Sequence, residues 1–172
     1  MRKLFLIITF LLIQINTANA NSNISFIDMD KLLSTSKPGQ SILKQLNDIR
    51  NKDTINFQKQ EKKVKENEKK LISQKNLVSA EDFESNLNKL RLEINQYNEN
   101  KRKKIKELQN LKINSTNKFL KLINPILIEY SENNSIPLIL QKKSIIAGKS
   151  ELDITDEIIK KVNSDLKVFR IN

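Results

Sequence analysis

Residues 40–124 contain neither glycine nor proline. A run that long, rich in Lys, Glu, Gln, Asn and Leu, has helix as its natural ordered state. At a rise of ~1.5 Å per residue a single rod of this length would reach about 125 Å. The run is interrupted at Asn76-Leu77-Val78-Ser79-Ala80, where a second helix start is written. Ser79 is placed to accept from the amide three residues on, Asp82 to reach back, and Glu81 to add negative charge at the positive end of the new helix. The spacing therefore predicts two antiparallel helices with a tip near residues 77–80.

Facing apolar residues in such a hairpin have position numbers that add to a near-constant sum. Phe57, Val64, Leu71 and Val78 recur every seven residues, and Leu87 and Ile94 do likewise. A sum near 158 sets Leu71 opposite Leu87, Val64 opposite Ile94, and Phe57 opposite Lys101. The layers between are half polar: Asn67 falls near Leu90 or Arg91, Gln60 near Tyr97 or Asn98, and Asp53 near Ile105. A seam this polar predicts an arm that stays helical but bends, since helices in proteins owe most of their stability to an apolar face that packs.

The ends of the chain differ in character. Arg2 and Lys3 precede an apolar run over residues 4–13, and Ala18-Asn19-Ala20 supplies small residues at cleavage spacing. The run is too short to span a bilayer and reads as a secretory signal peptide cleaved after Ala20. Residues 23–29 are β-prone, and Asp30-Lys31-Leu32-Leu33 has room for about one helical turn. Lys37-Pro38-Gly39 is expected to break the chain before the arm.

Beyond the arm, Phe119, Leu120, Leu122, Ile123, Ile126, Leu127, Ile128 and Tyr130 form the most apolar segment of the exported chain, and Pro125 denies one intrahelical bond within it. Residues 136–140 and 144–147 look like two antiparallel strands around Gln141-Lys142-Lys143. A last amphipathic helix is predicted with Thr155 as N-cap and with Ile158, Ile159, Val162, Leu166 and Phe169 on the face that covers the sheet. The expected division is a signal peptide (1–20), a discontinuous β/α body (21–39 and 125–172) and a helical arm (40–124). The fold class is mainly α with a small β body.

Composition narrows the function. The chain has no Cys and no His, which removes disulfides, the usual zinc sites, Ser-His-Asp triads and Cys-His dyads. Two glycines cannot build a phosphate-cradling loop. Neither catalysis nor a cofactor is indicated, and export removes nucleic acid from the partners. Charge is concentrated in the arm, where 20 Lys or Arg stand against 11 Asp or Glu; the rest of the exported chain balances. Such a one-sign field attracts anionic partners: acidic polypeptide, lipid headgroups or lipopolysaccharide. Lys101, Arg102, Lys103 and Lys104 form its densest run, with Lys62 and Lys69 on the other helix, and these six are the candidate client- or anion-binding residues. Of the four-residue run, Lys101 is predicted to meet the seam with its stem along Phe57. Asn114-Ser115-Thr116-Asn117 is a cluster of poor helix formers where the arm is expected to soften.

The order of parts resembles the Skp (OmpH-like) family of periplasmic chaperones. The resemblance rests on Phe26-Ile27-Asp28-Met29-Asp30-Lys31-Leu32-Leu33, on Ser144-Ile145-Ile146-Ala147-Gly148, and on Asp153-Ile154-Thr155-Asp156-Glu157-Ile158-Ile159. It implies a periplasmic homotrimer whose arms project from a β-rich body and hold unfolded outer-membrane β-barrel proteins without ATP. Phe26, Ile27, Leu138, Leu140, Ile145, Ile146, Ile158 and Ile159 are then the expected trimer body. Independently, a body this small with an exposed sheet edge is marginal as a monomer. The alternative reading is an envelope tether that binds anionic glycolipid or polymer through the arm.

Overall fold

A computed structural model describes residues 24–171. The expected signal peptide (1–20) and the expected cleavage after Ala20 lie outside the described residues. The elements are strand β1 (Ile24–Ile27), helices α1 (Met29–Thr35), α2 (Lys37–Gln74) and α3 (Ala80–Asn133), strand β2 (Leu138–Gln141), two single 3₁₀ turns, and helix α4 (Thr155–Asp165). The fold is mainly α with a small β element, and α2 and α3 form the long antiparallel hairpin that the sequence predicts.

Each helix start has a local cause. Asp28 caps α1 by accepting from the Lys31 amide at 2.9 Å, and α1 runs two turns where one was expected. The buried Ser36 caps α2, its hydroxyl accepting from the Gly39 amide at 3.3 Å. Lys37-Pro38-Gly39 is therefore no break but the first turn of α2. Proline suits that turn because its missing N–H has no intrahelical partner there anyway. Glycine is required because α1 folds back so tightly that a Cβ at position 39 would overlap the Leu33 carbonyl oxygen. At the tip, Ser79 accepts from the Asp82 amide at 3.1 Å, and the Asp82 carboxylate takes the Ser79 hydroxyl proton at 2.6 Å.

Helix α3 passes through both Asn114-Ser115-Thr116-Asn117 and Pro125 without interruption. Ser115 is buried. The helix ends in a Schellman motif: Ile136 N–H donates to Ser131 O at 2.9 Å, Ser135 N–H donates to Glu132 O at 3.3 Å, and Ser135 takes the left-handed conformation at φ 51°.

The sheet differs from expectation. Residues 144–147 form no strand, and β2 pairs not with them but in parallel with β1, Ile24 opposite Leu138 through Ile27 opposite Gln141. Parallel pairing needs a long crossover, and the whole α1–α2–α3 unit supplies it. On its other side β1 makes a single bridge at Asp153, with Ile154 N–H donating to Phe26 O at 3.0 Å. Just after residues 144–147 the chain passes over Phe26: a Cβ at Gly148 would come within 3.2 Å of that ring.

The N-cap position of α4 belongs to Ile154, not Thr155. Asp153 supplies the acceptor, its carboxylate taking the Thr155 amide at 3.0 Å as well as the Thr155 hydroxyl proton. Thr155 is thereby free to accept from the Asp28 amide at 2.9 Å, tying α4 to the end of β1. Helix α4 also stops at Asp165, so Leu166 and Phe169 lie in an extended tail rather than on its face. It packs on α1, α2 and α3 more than on the sheet. One core joins these parts: Ile27, Leu32, Ile42, Leu46, Phe119, Ile123, Ile126, Ile154, Ile158, Ile159 and Val162. The roots of both arm helices thus contribute to it directly.

Candidate functional site

Beyond the root the arm has a thin interior. Leu71 and Leu90 are its only buried apolar residues past Leu46 and before Phe119 among the described residues, and Leu87 is half-buried beside them. Midway, Phe57 meets Tyr97 edge to face at a centroid distance of 6.2 Å. Between these layers the seam is polar: Asn67 donates to Glu93 at 2.8 Å, and Lys63 pairs with the same carboxylate at 3.2 Å. The hydrogen bond from Asn67, joined by Lys63, holds the Glu93 carboxyl below the usual carboxylate range. Several large apolar side chains are left facing water along the hairpin, among them Ile55, Ile72, Leu77, Leu92, Ile105 and Ile113. Near the root, Leu43, Leu46, Ile105 and Leu108 line a groove of about 530 Å³ whose rim carries Arg50 and Lys112.

The basic residues singled out from sequence are all on this arm. Lys101, Arg102 and Lys103 are exposed; Lys104 is the half-buried member of the run and pairs with Glu107 at 2.8 Å. That hydrogen bond raises the Lys104 pKa and lowers that of Glu107. The expectation that Lys101 lies along Phe57 is corrected, because Tyr97 fills that place. Lys101 sits one turn further on, its ammonium 5.6 Å from the Tyr97 ring. Lys62 and Lys69 share a face of α2 with Lys65 and Glu61, which pair at 2.7 Å, while Lys62 only approaches Glu66 at 4.0 Å. Residues 101–104 and residues 62 and 69 are on different helices, and the structure forms no single pocket from them.

The eight body residues divide in two. Ile27, Ile158 and Ile159 are core within one chain, and Phe26 is covered by the loop at Gly148. Leu138, Leu140 and Ile146 are exposed, Ile146 completely, and Ile145 is half-buried. By the pairing register Leu138 and Leu140 stand on the same sheet face as Ile24, which is also exposed. Sequence reasoning missed the node that holds the body together. Lys142 lies 3.6 Å from Asp28 and 3.3 Å from Asp153, so one cation joins the end of β1, the end of β2 and the start of α4. Burial pushes the Asp153 carboxyl upward, but hydrogen bonds from the Thr155 hydroxyl and amide and from Lys142 outweigh it and leave the pKa lowered.

A long hairpin rising from a core that closes on β1, β2 and α4 is the arrangement in which the comparisons place the chain. The family model described as Outer membrane protein (OmpH-like) matches residues 23–162. The chain belongs to the OmpH-like family. A crystal structure of a protein assigned as an OmpH-like outer membrane chaperone, from Caulobacter crescentus CB15, superposes with a TM-score of 0.80, covering 89% of this chain and 90% of that one at 13% identity. At that identity the likeness speaks for the fold. No curated protein matches. The match runs from β1 through the α2–α3 hairpin and into α4, so the OmpH-like assignment includes the hairpin.

Proposed function

We propose that the protein is an ATP-independent periplasmic holdase that binds unfolded outer-membrane proteins and passes them towards outer-membrane assembly. The observation that carries this reading is the arm: a continuous hairpin whose seam is too polar to bury its own apolar residues, so that Ile55, Leu92, Ile105 and Ile113 remain exposed among lysines. Membership of the OmpH-like family supports it, as does the name of the Caulobacter crescentus protein. On this reading the body (21–39 and 125–172) assembles three chains, and the arms (40–124) enclose the client. Lys101, Arg102, Lys103, Lys104, Lys62 and Lys69 draw in acidic segments, and the exposed apolar side chains retain them. Anionic lipid or lipopolysaccharide is a further partner for the same charge.

The test has two parts. Substoichiometric protein should keep a urea-denatured β-barrel protein soluble on dilution; a passive tether would not. Replacing Lys101, Arg102, Lys103 and Lys104 together by Gln should slow capture severalfold and flatten its salt dependence, because exposed charge is screened beyond about 10 Å at 0.1 M salt. Dissociation should be nearly unchanged, since apolar contacts set it. Helicity should hold, glutamine being as good a helix former as lysine. Capture at the wild-type rate with the wild-type salt slope would reduce the cluster to a solvated face.

A further inference from the structure

After α4 ends at Asp165 the chain continues extended and lies across the root of the arm. Its backbone is read there much as a neighbouring strand would read it. The Gln45 side chain on α2 donates from Nε2 to the Phe169 carbonyl at 3.0 Å and accepts at Oε1 from the Ile171 amide at 3.2 Å. Gln45 is itself oriented by Ser41, whose carbonyl and hydroxyl oxygens accept from the same Nε2 at 3.2 and 3.1 Å. On α3, Lys118 places its ammonium 4.9 Å from the Phe169 ring. Leu166, Phe169 and Ile171 pack against the core, while Lys167, Val168 and Arg170 face water.

These contacts recognise features that any extended polypeptide offers: one carbonyl and one amide two residues apart, with apolar or aromatic side chains directed inward. None of the polar ones is specific to the tail's own side chains, since Gln45 touches only backbone and the Lys118 contact needs only an aromatic ring. The tail also has no secondary structure of its own to lose on leaving, so its release costs the core little beyond the three side chains it inserts.

We infer that the arm root is a binding site for extended apolar polypeptide, occupied in the resting chain by residues 166–171 and opened when an incoming segment displaces them. The inference deepens the holdase reading, which supplies its occupant: an unfolded β-barrel protein is rich in segments that alternate apolar and polar residues. The tail then acts as an intramolecular competitor, weakening apparent affinity by the fraction of time for which it is seated.

A fluorescein-labelled peptide of residues 165–171 serves as the probe, measured by anisotropy. Full-length protein carrying Phe169→Ser and Ile171→Ser should bind it about tenfold more tightly than the wild type, as expected when a competitor seated nine-tenths of the time is removed. Adding Gln45→Ala to that variant should reverse most of the gain. Equal binding by wild type and the double variant overturns the proposal, and so does a gain that is indifferent to Gln45, which would place the peptide elsewhere on the arm. Circular dichroism establishes that the variants are folded. Should the double variant fail to fold, hydrogen exchange in the wild type decides: a saturating excess of unlabelled peptide should accelerate exchange at the Ile171 amide, and unchanged exchange overturns the inference. The β-barrel dilution assay remains separate. A protein that binds the peptide yet fails to hold a denatured β-barrel protein would retain the site and lose the holdase reading.

Discussion

Thr155 illustrates how much one residue can carry in a body this small. Its side chain is fully buried, accepts from the Asp28 amide and donates to Asp153, so it links the chain leaving β1 to the first turn of α4. Thr155→Val keeps the shape and removes both bonds, leaving a partly buried amide and a carboxylate short of a donor. A loss of about 1–3 kcal/mol is expected in denaturant melts, the cost of stranding a buried polar group. The same node sets an acid dependence. Because the Asp153 pKa is lowered by folding, its contribution is complete above the unfolded carboxylate value of about 3.9 and is lost as pH falls through the lower folded value. Wild-type stability should therefore decline below that range, and Asp153→Asn should start lower and decline less. A parallel acid limb in both proteins would show that the carboxylate does not couple to folding.

At the level of elements, helix was the easiest thing to read and register the hardest. An 85-residue stretch without Gly or Pro leaves little choice of structure, and the Ser79 to Asp82 spacing located the tip. The heptad residues do face the seam, yet their partners are offset: Phe57 meets Tyr97 rather than Lys101, and Asn67 meets Glu93. An edge-to-face ring contact settles the first pairing and a hydrogen bond the second, and a count of aliphatic spacing registers neither. The body was less legible. Pro38-Gly39 reads as a break unless it is known that α1 presses against position 39. Residues 144–147 have β propensity, but an Ile pair realises it only if another strand is there to receive it. Parallel pairing of β1 with β2 joins residues more than a hundred positions apart, beyond the reach of any local pattern. Of the candidate site, the basic run was plain in the sequence, whereas the Lys142 node and the seating of the tail depend on packing. The offset seam makes its own prediction. Among the described residues Glu93 is the carboxylate that bonds across the hairpin, and folding lowers its pKa, so its link is present above the unfolded value and lost in acid. Glu93→Gln at neutral pH should speed hydrogen exchange in the middle of both arm helices severalfold while leaving the amides around the core residues Phe119 and Ile158 unchanged, as expected where local opening stays within the contiguous segment that lost the contact. Uniform exchange across the arm in wild type and variant alike would mean that the node does not hold the seam.

The whole molecule raises the question of what covers the sheet. Among the described residues of one chain the sheet has two strands; β2 presents an unpaired edge, Ile24, Leu138 and Leu140 are exposed on one face, and Ile146 is fully exposed in the loop that follows β2. A two-stranded sheet is marginal in water, and an apolar edge of this kind invites another strand. The proposed homotrimer answers both needs, since three copies could pair their edges and bury these residues together. The core residues Ile27, Ile158 and Ile159 cannot serve as the contact, because each is already buried within its own chain. The distinction separates two kinds of variant. Leu138→Glu with Ile146→Glu should dissociate the assembly, since neither residue is needed for the core of one chain, and sedimentation should then report monomers at micromolar concentration. Ile158→Ala should instead lower the melting temperature through a cavity cost of about 2–5 kcal/mol, without changing the mass of the protein that remains folded. Sedimentation of the wild type as a folded monomer at micromolar concentration would refute the trimer. An unchanged mass for the Leu138→Glu, Ile146→Glu variant would move the interface away from the sheet.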